Sequence, residues 1–233
     1  MKKFVKPIGR APLISILGDS ISTLNGYIPQ GFHCYYEGTP TAESGVHSVA
    51  DTWWGRVIDT LGGELLANNS FAGSRMAMDI GCKYRNYGCD FLRTGALSKE
   101  GKKPDLVMVF MGINDLGSRS MHMLPEVEGD AGSIRVFSVA YETALADIRA
   151  RYPEAAVLCI TPGRGYVAGQ SPLLPPPDVR MGAMCGIIKA LAEQYDCLFF
   201  DLSSASPYES LDGIHPTANG MKTIAEGVLS ALL

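Results

Sequence analysis

Residues 13–23 read LISILGDSIST, an apolar run that gives way to a glycine, an acid and three hydroxyls. Leu13–Leu17 is too short for a stable helix and reads as a strand. A simple turn after it would need Gly18, but not Asp19 set beside Ser20 and Ser22. Three readings fit these residues: a phosphate cradle, a flavin-phosphate loop, and a nucleophilic serine at a strand end. What the other strand ends carry decides between them.

Working outward, strands and helices alternate. Val46–Leu61 predicts a helix, with Val49, Trp53, Val57 and Leu61 on one face and Gly62-Gly63 as its stop. Glu64–Ala67 predicts a short strand. Asp105–Phe110 (DLVMVF) is the continuous apolar run expected of a strand buried on both faces. Ser133–Arg151 predicts a helix ended near Pro153, Ala155–Ile160 a strand, and Asp178–Tyr195 a helix opened by an Asp cap. Cys197–Asp201 predicts a strand. Thr217–Leu232 predicts a last helix, with Met221, Ile224, Val228 and Leu232 as its apolar stripe. This alternation around five buried strands predicts an α/β fold, a three-layer α/β/α sandwich on a five-stranded parallel sheet. No repeat or linker divides the chain, so residues 1–233 are expected to form one domain. Gly18–Gly45 and Leu116–Gly132 are long and irregular, and loops that long in a compact domain are usually functional or disordered. Pro175-Pro176-Pro177 reads as a stiff spacer.

Composition narrows the function. The chain has 233 residues, 46% of them hydrophobic, enough for a full core without covalent staples. A net charge of −4 provides no basic footprint, so no nucleic acid partner is expected. The N-terminus MKKFVKPIGRAPLISILGD has no long apolar segment or small-residue cleavage site, so the sequence as given predicts a cytoplasmic protein. No amphipathic lid or basic membrane face is visible, and no membrane insertion is expected. Of six cysteines, Cys159 and Cys197 fall in predicted strands as small apolar thiols, while Cys82 and Cys89 are close enough in sequence to pair. No Cys/His spacing fits a zinc site, so no metal and no cofactor is expected.

Ligands of an open parallel sheet bind beyond the carboxyl ends of its strands. Those ends carry Gly18-Asp19-Ser20, then Asn68-Asn69-Ser70-Phe71-Ala72-Gly73-Ser74, then Gly112-Ile113-Asn114-Asp115, and finally Asp212-Gly213-Ile214-His215. A serine, a glycine, an asparagine and an Asp/His pair on one edge form the inventory of a serine hydrolase. With these blocks in this order, the sequence resembles the SGNH/GDSL hydrolase family over nearly its whole length. It departs at Ser70, where many members carry an extra glycine.

The resemblance implies that the five-stranded parallel sheet is flavodoxin-like, and it implies an esterase or acylhydrolase with Ser20 as nucleophile, His215 as base and Asp212 as its orienting acid. It implies an oxyanion hole from the backbone N–H groups of Ser20 and Gly73 and the side-chain amide of Asn114. Serine is a poor nucleophile without an adjacent base, and histidine can exchange protons near neutral pH. Asp19 and Asp115 are read as loop-organising carboxylates. Tyr27, Tyr35 and Arg75 are candidate substrate contacts, since an aromatic-rich loop at the catalytic strand end can either shape a pocket or cover the sheet edge. His33, His47 and His122 have no motif partner, and Trp53-Trp54 reads as core. The expected substrate is a small soluble ester, with acetylated carbohydrate preferred. The alternatives are a lysophospholipase or thioesterase, a flavodoxin-like FMN-binding protein using Ser20-Ile21-Ser22-Thr23, and a catalytically silent glycan-binding protein.

Overall fold

Leu13–Gly18 forms β1, and the chain returns through the short helix α1 (Thr39–Ser44) and α2 (Trp53–Leu61) to β2 (Glu64–Ser70). There follow α3 (Phe91–Gly95), β3 (Leu106–Phe110), α4 (Ile113–Leu116), α5 (Phe137–Arg151), β4 (Ala156–Ile160) and β5 (Gly165–Val167). The chain ends with α6 (Val179–Gln194), β6 (Leu198–Phe200), β7 (Tyr208–Ser210) and α7 (Ala218–Leu232). This computed structural model describes residues 3–78, 87–117, 122–124, 132–172 and 179–233.

Five strands pair in the order β2-β1-β3-β4-β6, all parallel. The central strands are apolar on both faces, and each face takes a helical layer. Ile14, Ile16, Met108, Phe110, Leu158 and Ile160 pack with Trp53, Val57 and Leu61 of α2 and Met221, Ile224 and Val228 of α7. The intervening Leu17, Val107, Val109, Val157 and Cys159 pack with Tyr141, Leu145 and Ile148 of α5 and Met184 and Ile188 of α6. This is the expected three-layer α/β/α sandwich, with the flavodoxin-like strand order and its switch point between β1 and β3.

The register sets the functional edge. Gly18 pairs with Ser70 and with Phe110, Phe110 with Ile160, and Ile160 with Phe200, so all five strands end level. Ser20 and Asn114 follow the two strands that flank the switch point, where a parallel sheet opens a crevice.

The structure departs from the sequence expectations at identifiable places. The helix expected from Val46 starts only at Trp53. Asp51 Oδ2 accepts hydrogen bonds from the Ser48 N–H and hydroxyl, and Thr52 adopts extended backbone with its Oγ1 accepting from Gly55 N–H. Local side-chain bonds thus compete with the helix and start it afresh. β2 extends three residues past Ala67, because Asn68 and Asn69 find buried partners: Asn68 Nδ2 donates to the Ser22 carbonyl at 2.8 Å, and Asn69 Oδ1 accepts from Arg93 Nε at 2.8 Å. α5 begins at Phe137 rather than Ser133.

A second, two-stranded parallel sheet of β5 and β7 had no signal in the sequence. β7 also seats α7: Thr217 Oγ1 caps the helix at Gly220 N–H, and a Cβ on Gly220 would lie 1.9 Å from the Glu209 carbonyl oxygen. Trp53 and Trp54 are fully buried, as read. Cys34, Cys89, Cys159 and Cys185 are buried free thiols and Cys197 a half-buried one, so no bridge forms at Cys89. Cys82, the prolines 175–177, Asp178 and most of the stretch from Leu116 to Gly132 lie outside the described residues.

Candidate active site

The hydroxyl cluster after β1 is resolved by its bonds. Asp19 caps a single 3₁₀ turn, Ser20–Ser22, with its Oδ1 accepting from Ile21 N–H at 3.0 Å. Ser22 Oγ accepts from Trp53 Nε1 at 3.2 Å, and the Ser22 carbonyl accepts from Trp54 Nε1 and Asn68 Nδ2. Thr23 Oγ1 donates to the Ser20 carbonyl and accepts from Tyr35 N–H. These two hydroxyls are therefore engaged inside the protein and do not form a phosphate cradle. Ser20 Oγ alone turns to a different partner, His215 Nε2, at 3.0 Å.

Asp212 and His215 lie on a turn clamped by the small sheet. Gly165 N–H donates to the Gly213 carbonyl, Gly213 N–H to Ser210 Oγ, and the Tyr208 hydroxyl to the Ile214 carbonyl. Asp212 Oδ1 accepts from the N–H groups of Ile214 and His215 at 2.9 and 2.8 Å, and its Oδ2 meets His215 Nδ1 at 2.7 Å. Partial burial pushes the Asp212 carboxyl up, but the N–H of His215, the imidazole and the N–H of Ile214 outweigh it and hold the group below its ordinary value. It is ionised at neutral pH and can only accept, so the Nδ1 proton stays on the imidazole and Nε2 offers its lone pair to Ser20. Tyr35 stacks flat on the other side of this ring, with centroids 3.6 Å apart and planes 8° from parallel.

The second and third loops meet at the end of β1, where the Phe71 N–H donates to the Gly18 carbonyl. Phe71–Ser74 is a tight turn closed by Ser74 N–H on the Phe71 carbonyl, with Gly73 at φ +80°, a conformation that favours glycine. Asn114 Nδ2 donates to the Ser74 carbonyl at 2.9 Å, which ties the two loops together. An amide nitrogen carries two hydrogens, so this bond leaves one to point elsewhere.

The model of the GDSL-like lipase/acylhydrolase family matches residues 12–164, which include the first three blocks. The chain belongs to the GDSL-like lipase/acylhydrolase family. This GDSL-like protein is an ester hydrolase, and its Asp212–His215 block lies beyond the matched segment. Its fold is similar to a Bacteroides uniformis protein described as a GDSL-like lipase (24% identity, 96% of each chain, TM-score 0.71). It is also similar to a carbohydrate acetylesterase from Sinorhizobium meliloti (19%, 95% of this chain and 100% of that one, TM-score 0.63). A third similar fold is that of the M. smegmatis aryl esterase (19%, 96% and 100%, TM-score 0.62). No curated protein sequence matches the chain.

Of the sequence-proposed residues of this GDSL-like esterase, the structure brings together Ser20, Asp212 and His215, and joins the Gly73 and Asn114 loops to each other through Ser74. Tyr35 stands against His215, with one ring face occupied. The rest of the aromatic loop is packed as a cover: Tyr36 is fully buried with its hydroxyl on the Pro216 carbonyl, and Phe32 meets Phe71 edge-on. Tyr27 packs toward Trp54 and lines a groove of about 560 Å³ beside the edge strand β2, among Leu65, Asn68, Ala96 and Lys99. None of the five site residues lines that groove. Arg75 follows Ser74, and its charge favours the ionised form of Asp115. Among the described residues no helix is long and apolar enough to cross a membrane, and no group of three or more His, Cys, Asp or Glu is placed to hold a metal ion.

Two buried carboxyls and a buried guanidinium lie beneath the site. Asp115 accepts from Met76 and Ala77 N–H at 2.8 and 3.0 Å and so holds the chain just after Ser74. Burial pushes both Asp19 and Asp115 up to about 7, each partly offset by backbone N–H donors, and Asp19 is raised further by Asp115. The Asp19 Oδ2 atom is buried with no hydrogen-bond partner among the described residues. Sequence reasoning passed over Arg93 altogether.

The Asp19 carboxyl makes stability depend on pH. Its folded value lies above the unfolded value of about 3.9, so the folded state keeps a proton that the unfolded chain releases. Its contribution is full below the unfolded value and is lost as pH rises toward about 7. The Tm of Asp19→Asn relative to wild type is therefore expected to increase between about pH 5 and pH 8 in thermal melts. A difference that stays constant across that range would contradict the buried, protonated state.

Proposed function

We propose that this GDSL-like esterase hydrolyses a small acyl ester through a covalent acyl-enzyme on Ser20, with acetylated carbohydrate as the preferred substrate class. The observation that carries the reading is the bonded line from Ser20 through His215 to Asp212, at 3.0 and 2.7 Å.

As Ser20 Oγ attacks the acyl carbon, His215 Nε2 takes its proton, and Asp212 stabilises the imidazolium that forms. The carbonyl oxygen becomes an anion. The N–H groups of Ser20 and Gly73 and the second hydrogen of Asn114 Nδ2 are the donors assigned to it. Collapse of the tetrahedral species breaks the acyl C–O bond, and His215 returns the proton to the departing alcohol. Water then attacks the acyl-serine while giving a proton to His215. A second collapse releases the acid and restores Ser20. Tyr35 braces the imidazole through these proton transfers, and Arg75 is the remaining candidate for substrate contact, because Tyr27 faces the groove beside β2.

The small-ester preference is supported by likeness in fold to a carbohydrate acetylesterase and an aryl esterase. The test is a panel of p-nitrophenyl esters of increasing acyl length together with acetylated monosaccharides. The value of kcat/KM is expected to fall about tenfold or more from acetyl to medium chains, and acetylated sugars are expected to release acetate. A rate that rises with chain length would overturn the substrate assignment in favour of a lysophospholipase or long-chain thioesterase.

A further inference from the structure

Arg93, on α3, is 2% exposed. A buried guanidinium persists only where its donors find acceptors. Its Nε donates to Asn69 Oδ1 at 2.8 Å, one Nη donates to the carbonyls of Gly18 and Asn69 at 2.9 and 2.6 Å, and the other donates to Ser74 Oγ. Gly18 ends β1 two residues before Ser20. Asn69 lies at the end of β2, and Ser74 directly follows Gly73. The Ser74 carbonyl in turn accepts from Asn114 Nδ2 at 2.9 Å.

Arg93 therefore fastens the loops of Ser20 and Gly73 at one point, and the side chain of Asn114 joins them through the Ser74 carbonyl. Sheet pairing ends at Gly18, Ser70 and Phe110, and beyond those residues it no longer fixes the loops relative to one another. α3 itself is held from behind: Asp90 caps it, and the Tyr152 hydroxyl donates to the Thr94 and Gly95 carbonyls. The planar fork of an arginine can hold several acceptors at fixed angles, which a lysine ammonium cannot.

We propose that Arg93 is a positioning residue that sets the spacing of the oxyanion donors at Ser20, Gly73 and Asn114, through its bonds to Gly18, Asn69 and Ser74. The inference rests on the assignment of those donors under the proposed function. Small displacements of such donors are costly, because their effect depends on pre-set geometry.

The test is a double-mutant cycle on the full chain with p-nitrophenyl acetate. Arg93→Lys is expected to lower kcat about 10–100-fold and to leave KM within about threefold. Asn114→Ala is expected to cost about 10²–10³-fold in the wild type but less than about tenfold in Arg93→Lys, because the donor it removes is already misplaced. Equal costs in both backgrounds, or a wild-type kcat for Arg93→Lys, would overturn the inference. Should Arg93→Lys fail to fold, Ser74→Ala carries the same cycle, since it removes one link and leaves the guanidinium in place. For that variant an unchanged kcat, or a full Asn114→Ala cost, overturns the inference. Ser20→Ala is measured in parallel. If it stays active, the acyl-enzyme reading itself fails; if it is inactive while the cycle is additive, only the role of Arg93 fails.

Discussion

Ser20→Ala is expected to lower kcat/KM for p-nitrophenyl acetate by about 10⁴–10⁶-fold, with little change in Tm. The substitution removes one oxygen, and the turn that carries it is held by other groups. Asp19 caps the turn, Thr23 Oγ1 bonds the Ser20 carbonyl, and Trp54 and Asn68 bond the Ser22 carbonyl. The backbone N–H of residue 20 also stays, so the oxyanion donors are intact and only covalent catalysis is lost. A variant that keeps more than a few per cent of wild-type activity would exclude Ser20 as the nucleophile.

His215→Ala is expected to be nearly as damaging, and the Ser20→Ala/His215→Ala pair no worse than either alone. The two side chains act as one unit, because the hydroxyl is a useful nucleophile only while Nε2 takes its proton. The 3.0 Å contact between them and the 2.7 Å contact to Asp212 make this coupling direct. Loss of the ring uncovers one face of Tyr35 but breaks no strand or helix, so circular dichroism should match the wild type. Additive losses in the double variant would place the two residues in separate steps and contradict the mechanism.

Much of this was legible in the residues because each signal was local. Buried strands announced themselves as apolar runs; Gly18-Asp19-Ser20 and Gly112-Ile113-Asn114-Asp115 each follow a strand whose end could be read, and Asp212-Gly213-Ile214-His215 stands just before the legible last helix. Illegible features depend on partners distant in sequence. Asn68 and Asn69 look like loop residues until Ser22 and Arg93 supply buried partners, which is why β2 runs longer than its propensity suggests. The β5–β7 sheet has three residues per strand, too few for a pattern, yet it holds the turn of Asp212 and His215. Arg93 sits in a stretch without periodicity, and nothing in Phe91-Leu92-Arg93-Thr94 indicates a buried side chain. The aromatic loop was visible, but its use as a cover, with Tyr35 on His215, required the fold. Ser22, which shared the opening cluster with the nucleophile, turns out to bond the two tryptophans.

Reaction of the purified protein with a fluorophosphonate, read by intact mass and peptide mapping, tests the central assignment most directly. The reagent captures a serine only when a neighbouring base activates it. The account predicts a single adduct on the peptide carrying Ser20, absent in Ser20→Ala and strongly slowed in His215→Ala. An unmodified protein, or an adduct on another residue with Ser20 intact, would contradict it.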